Sequence, residues 1–134
     1  MTKPAPPRPT DAELAILRTL WKLGPSAVRD VHEALQRARP SGYTTTLKTM
    51  QIMTEKGLLR RDESRRSHVY APNQSEEQTL HRIVKDLLER AFGGSAQKLV
   101  MQALSAKRAS PAEIVRIREL LDEMENRNPG AKSR

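Results

Sequence analysis

The sequence has no cysteine and few aromatic side chains: one Trp, one Phe and two Tyr in 134 residues. The first absence excludes a disulfide framework and any thiolate-bound metal, and it fits a reducing compartment. The second leaves leucine, isoleucine, valine and methionine to fill the core, which favours helix packed on helix. No apolar run approaches the roughly 18 residues of a membrane-crossing helix. The opening MTKPAPPRP also lacks the apolar centre of a secretion signal. The expected protein is soluble and cytoplasmic, with no membrane insertion.

Acidic residues are also in short supply, with 16 Asp and Glu against 24 Lys and Arg, for a net charge of +8. The excess lies mainly in the first half: residues 1–73 hold 13 basic and 7 acidic side chains, residues 74–134 hold 11 and 9. A basic N-terminal half points to a polyanionic partner, most often nucleic acid. Groups for catalysis are missing as a set. His32, His68 and His81 are far apart in sequence, and Gly93-Gly94 lacks the setting of a phosphate-binding loop. Glu76, Glu77 and His81 can share a helical face, but acidic residues in a first helical turn are ordinary capping chemistry. No enzymatic activity, cofactor or metal is expected.

The pattern that is present is mostly helical. Residues 1–9 hold four prolines without periodicity and are expected to form a disordered lead-in. Thr10-Asp11-Ala12-Glu13 has the form of a capping box, followed by Leu14, Leu17, Leu20 and Trp21 on one face and a stop at Gly24-Pro25. Ser26 is expected to cap a second helix, with Val28, Val31 and Leu35 inward and an end near residue 38. The stretch YTTTLKTMQIMTEK, bracketed by Gly42 and Gly57, predicts a third helix over 43–56. Residues 58–61 and 68–70 then predict two short strands around a basic tip. Three helices and a basic hairpin, in that order, describe a winged helix-turn-helix domain over 10–73.

The third helix opens with three threonines, which are mediocre helix formers, so their side chains are expected to serve another purpose. On a helical wheel Tyr43, Leu47, Met50 and Met53 gather on one side, while Thr44, Thr45, Lys48 and Thr49 fall mainly on the other. Hydroxyls, methyls and one amine on the exposed face of a helix suit base edges in a major groove. Gln51 is a weaker candidate for adenine, and Ile52, pointing outward, is expected either to touch a thymine methyl or to pack against a neighbouring loop. Arg65 and Arg66 at the hairpin tip are expected to grip phosphates, with Arg61 before the tip and Tyr43 at the helix start counted among those contacts.

After Pro72 the pattern becomes three amphipathic helices. Ser75 and Gln78 form a second capping box ahead of Leu80, Ile83, Val84, Leu87, Leu88 and Phe92. Leu99 and Leu104 mark a fifth helix, and Ser110-Pro111-Ala112-Glu113 starts a sixth bearing Ile117, Leu121 and Met124. About 55 residues enclose too little volume to bury such stripes alone. Residues 74–127 are therefore expected to form a helical dimerisation domain with those apolar side chains at a homodimer interface, and 128–134 a disordered tail. A six-helix monomer is the competing arrangement.

The segments LAILRTLW, GYTTTLKTMQIMTEKGLLRRDE, SHVYAP, AFGGSAQKLVMQAL and SPAEIVRIRELLDEME together resemble the BlaI/MecI/CopY family of penicillinase-type repressors, from about Thr10 to Glu125. The resemblance implies a mostly α fold with a small β-hairpin, a winged-helix N-terminal domain, a helical dimerisation domain, and repression by a homodimer on a palindromic double-stranded DNA operator. The family's Tyr-Thr-Thr helix start matches Tyr43, Thr44 and Thr45, and its Lys-Gly-Leu end matches Lys56, Gly57 and Leu58. Family members often carry a lysine where this chain has Leu47, and here the lysine is Lys48. In the penicillinase branch a regulatory protease cuts an Asn-Phe bond after Gly-Gly. The equivalent cleavage region here is Ser95 and Ala96, a departure from that pattern. The cysteines of the copper-responsive branch are absent. A winged helix that binds protein instead of DNA is the alternative reading.

Overall fold

In the computed structural model, residues 8–64 and 66–127 are described. The expected N-terminal lead-in falls largely outside these residues, and the C-terminal tail falls wholly outside them. The first ordered helix, α1 (Asp11–Leu23), starts as its sequence dictates. Thr10 Oγ1 accepts from the Glu13 amide at 3.2 Å, and Glu13 Oε1 accepts from the Thr10 amide at 3.0 Å. Gly24, at φ 85°, closes the helix by donating to the Leu20 carbonyl at 2.7 Å. The buried stripe is Glu13, Ile16, Leu17 and Leu20, whereas Leu14 and Trp21 lie half-buried on its flank. The apolar face is thus rotated from the one expected, because Glu13 itself turns inward.

Glu13 is 3% exposed and pairs with Lys56 Nζ at 2.8 Å, which ties α1 to the end of the third helix. Burial alone would raise the pKa of its carboxyl group. The Lys56 ammonium and the Thr10 amide outweigh burial and hold it below the ordinary glutamate value. A folded-state pKa lower than the unfolded one contributes stability that is complete above the unfolded value and is lost as pH falls through the folded one. Acid unfolding should therefore include a component below about pH 4, which Glu13→Gln removes, at a cost of about 1 kcal/mol at neutral pH. Urea midpoints measured from pH 3 to 7 on both proteins check this.

Helix α2 (Val28–Leu35) buries Val28, Val31 and Leu35 as expected, but Ser26 does not cap it. The cap residue is Ala27, which has no side chain for the purpose. Ser26 is used elsewhere: its amide donates to the Tyr70 carbonyl at 3.0 Å, its carbonyl accepts from Tyr70 at 2.8 Å, and its hydroxyl donates to the Gly24 carbonyl. The segment before α2 therefore adds a bridge to the hairpin, and that pairing overrides the local capping preference.

Helix α3 (Tyr43–Lys56) has the bounds expected from its bracketing glycines. Gly57, at φ 86°, takes the left-handed position at its end, and the Leu58 amide donates to the Met53 carbonyl at 2.9 Å. Met50 and Met53 are fully buried, and Leu47 packs against the core from its edge.

Strands β1 (Leu59–Asp62) and β2 (Val69–Pro72) pair antiparallel with Arg61 opposite Tyr70. Both lie slightly later than expected, because Leu58 belongs to the helix end and its carbonyl accepts from Asn73 at 3.0 Å. Leu58, Leu59 and Tyr70 close the core begun by Ile16, Leu17 and Leu20. Each such side chain contributes about 1.5–3 kcal/mol relative to exposure. Three helices and this hairpin make a winged helix-turn-helix.

The chain divides into two compact units between Lys85 and Asp86, inside α4 (Glu76–Ala91). Beyond it run α5 (Ala96–Ala106) and α6 (Pro111–Arg127). The expected capping boxes are present: the Gln78 amide donates to Ser75 Oγ and the Glu113 amide to Ser110 Oγ, each at 3.1 Å. Gly93 and Gly94, both at positive φ, turn the chain after α4. From Leu80 to Arg127 no side chain is buried. Leu80, Val84 and Leu87 on α4 lie 42–46% exposed, and Leu121 and Met124 on α6 lie 56% and 60% exposed.

Candidate nucleic-acid interface

The outward face of α3 is defined by what the core takes. Thr46, Met50 and Met53 point inward, which leaves Thr44, Thr45 and Lys48 exposed and Thr49 half-buried at the margin. The three threonines at the helix start therefore divide. Thr46 is buried, with its hydroxyl 3.4 Å from the Gly42 carbonyl and 3.5 Å from His32 Nδ1. Thr44 and Thr45 keep hydroxyls without an intramolecular partner among the described residues. Gly42 offers no side chain to cap α3. The amides of its first turn, with the positive end of the helix dipole, are left to attract an anion.

Tyr43 is 46% exposed and sets its ring edge-to-face against His32, with centroids 5.6 Å apart and planes at 81°. It is therefore not part of the core, although its position on the wheel falls on the apolar side. With Leu47 it borders an open depression of about 540 Å³ that the start of α2 and the hairpin complete, bringing in Arg29, Asp30, Arg66 and His68. Two guanidinium groups, an imidazole, two phenols and the Asp30 carboxylate thus line one concavity beside the exposed threonines. Arg29 and His68 carried no periodic signal in the sequence. Only the approach of the hairpin to α2, through the Ser26 to Tyr70 bridge, brings them there.

The hairpin arginines have different roles. Arg60 Nη1 donates to the Pro72 carbonyl at 2.8 Å. Arg61 lies against the Tyr70 hydroxyl and pairs with Glu63, and the two, Tyr70 foremost, raise its pKa above the usual arginine range. Both side chains brace the hairpin. Arg66 is exposed and has no intramolecular partner among the described residues. Arg65 lies outside the described residues. Ser95 is the cap of α5, accepting from the Lys98 amide at 3.2 Å, and Ala96 beside it is exposed. No helix among the described residues is long and apolar enough to cross a membrane.

The chain is similar to known proteins. The family profile described as Penicillinase repressor matches residues 9–123. Over 108 residues the chain is 32% identical to the transcriptional regulator BlaI of Mycobacterium tuberculosis, covering 79% of this chain and 78% of that one. It is 28% identical to the penicillinase repressor of Bacillus licheniformis over 90% of this chain and 94% of that one. Among solved structures, the DNA binding domain of the repressor BlaI aligns with 55% of this chain and 90% of its own, at 26% identity and a TM-score of 0.49.

Proposed function

Because this chain belongs to the penicillinase repressor family, whose named members are transcriptional regulators and repressors rather than enzymes, we propose that it represses transcription as a homodimer on a palindromic operator. In this reading α3 enters the major groove, with Thr44, Thr45, Lys48 and Thr49 against base edges. Arg66 and Tyr43 meet phosphates at the depression beside the groove, and Arg29 and His68 join them there. Arg61 acts mainly by holding the hairpin in shape. The observation that carries the reading is the division of the threonines: Thr44 and Thr45 stand exposed, their hydroxyls without a partner among the described residues, at a positively polarised helix start with no side-chain cap.

The homodimer is supported by the exposed stripes of α4, α5 and α6. Leu80, Ile83, Val84, Leu87, Leu88 and Phe92, with Leu99, Leu104, Ile117, Leu121 and Met124, are all unburied in the single chain. A second copy covering them would fix two α3 helices at the spacing of two half-sites, a helical turn or more apart. A regulatory protease acting at Ser95 and Ala96 would detach α5 and α6 from α4 and weaken that coupling.

Two substitutions test the division between base reading and phosphate gripping. Thr45→Ala is expected to weaken operator binding by about 1 kcal/mol or more while leaving non-specific binding nearly intact. Arg66→Ala is expected to weaken binding to every sequence and to reduce the dependence of log K on log salt by about one ion per site. Titrations at several salt concentrations on operator and scrambled duplexes measure both. An unchanged slope would remove Arg66 from the phosphate contacts. Binding to a protein with little salt dependence, and none to DNA, would favour a protein-interaction module instead.

A further inference from the structure

The exposed face of α3 is polar except at its centre. At roughly 100° per residue, the point opposite the buried Met50 falls between Lys48 and Ile52, and Ile52 is 38% exposed there. A single exposed isoleucine would mean little, because scattered apolar side chains are common on protein surfaces. Its neighbour one turn earlier supplies a second observation. The Thr49 hydroxyl donates to the Thr45 carbonyl at 2.8 Å, so its only donor is spent on the helix backbone. What Thr49 offers outward is a methyl group and an acceptor lone pair. Residues three apart on a helix have neighbouring Cβ atoms, so Thr49 and Ile52 occupy adjacent positions on this face. Together they form an apolar strip flanked by the free hydroxyl of Thr45 and the amine of Lys48.

We propose that this strip reads thymine: Ile52, with Thr49 at the adjacent position, contacts the C5-methyl group of a thymine in each half-site. In the major groove the thymine methyl is the only apolar group that base pairs display, and a partly buried apolar side chain is the chemical match for it. The free donors at Thr45 and Lys48 then serve the flanking base pairs. The inference rests on the reading of α3 as the groove-entering helix. It assigns the central position of that helix to an apolar contact, where threonine chemistry alone would suggest hydroxyl readout.

The test begins with the full chain and a duplex selected by it from a random pool. Each thymine is replaced in turn by deoxyuridine, which removes the C5-methyl group and leaves every hydrogen-bonding group unchanged. At one or two positions per half-site the unmodified protein should bind the substituted duplex roughly three- to tenfold more weakly. Ile52→Ala should bind thymine and uracil duplexes alike at such a position, whereas Thr45→Ala should keep the preference. Circular dichroism checks that the Ile52 variant is folded, and the deoxyuridine series on the unmodified protein stands independently of any variant. Specific binding that ignores deoxyuridine at every position would overturn the inference and leave the repressor reading standing. So would an Ile52→Ala protein that discriminates as the unmodified one does. Failure to select any preferred sequence would overturn both together.

Discussion

Tyr70→Ala is expected to destabilise the DNA-binding unit by about 3–5 kcal/mol, the range for truncating a large buried aromatic. Tyr70 is only 2% exposed and heads the fully buried side chains by volume. Its position serves three structures at once: its ring fills the core, its backbone exchanges two hydrogen bonds with Ser26, and it stands opposite Arg61 in the hairpin ladder. Removing the ring opens a cavity at the point where the hairpin joins the helices. Arg66 and His68 then lose the support that holds them beside Arg29 and Tyr43. Tyr70→Phe keeps the ring and is expected to cost under about 1 kcal/mol. Trp21, the sole tryptophan, lies half-buried in the same unit and reports its unfolding in urea. A Tyr70→Ala midpoint equal to that of the unmodified protein would mean that the hairpin is not anchored through this side chain.

The contrast between Tyr70 and α3 shows which features could be read in advance. The bounds of α3 follow from two glycines and a periodic apolar stripe, all within 16 consecutive residues, and the structure has the same bounds. The capping boxes at Thr10, Ser75 and Ser110 are equally local, since donor and acceptor stand three residues apart. The fold class follows from the order of such elements. Features that depend on distant partners are not visible in the same way. Ser26 looks like a helix cap, but Tyr70, 44 positions later, claims its backbone. Glu13 is recognisable as a capping residue, while its pairing with Lys56 depends on the packing of α1 against α3. The Arg61 side chain turns back to Tyr70 and Glu63, and no periodicity separates it from Arg66, which has no partner among the described residues. On α3 the wheel sets Met50 and Met53 inward and Thr44, Thr45 and Lys48 outward as found, but it puts the exposed Tyr43 on the apolar side and does not show that the Thr49 hydroxyl is already committed to the backbone.

Leu87→Asp is expected to produce a monomer and to lower operator affinity by roughly 10²- to 10⁴-fold, because it removes the linkage between two half-site contacts. Leu87 stands 42% exposed on α4, between Val84 and the half-buried Leu88, in a stripe that stays unburied among the described residues. If a second copy covers that stripe, an aspartate there would have to lose its hydration without a partner, at a cost of several kcal/mol per subunit. The charge appears twice in a symmetric interface, so the penalty counts twice. Binding of one subunit to non-specific DNA should change far less, since the substitution does not touch α3 or Arg66. Leu23→Asp is the matching control. Leu23 is 49% exposed but lies at the end of α1, outside the proposed interface, so this variant should keep the dimer mass and the operator affinity. Sedimentation equilibrium gives the mass and a duplex titration gives the affinity. A dimeric Leu87→Asp protein would remove α4 from the interface. A monomer with full operator affinity would show that one α3 helix reads the site without a partner.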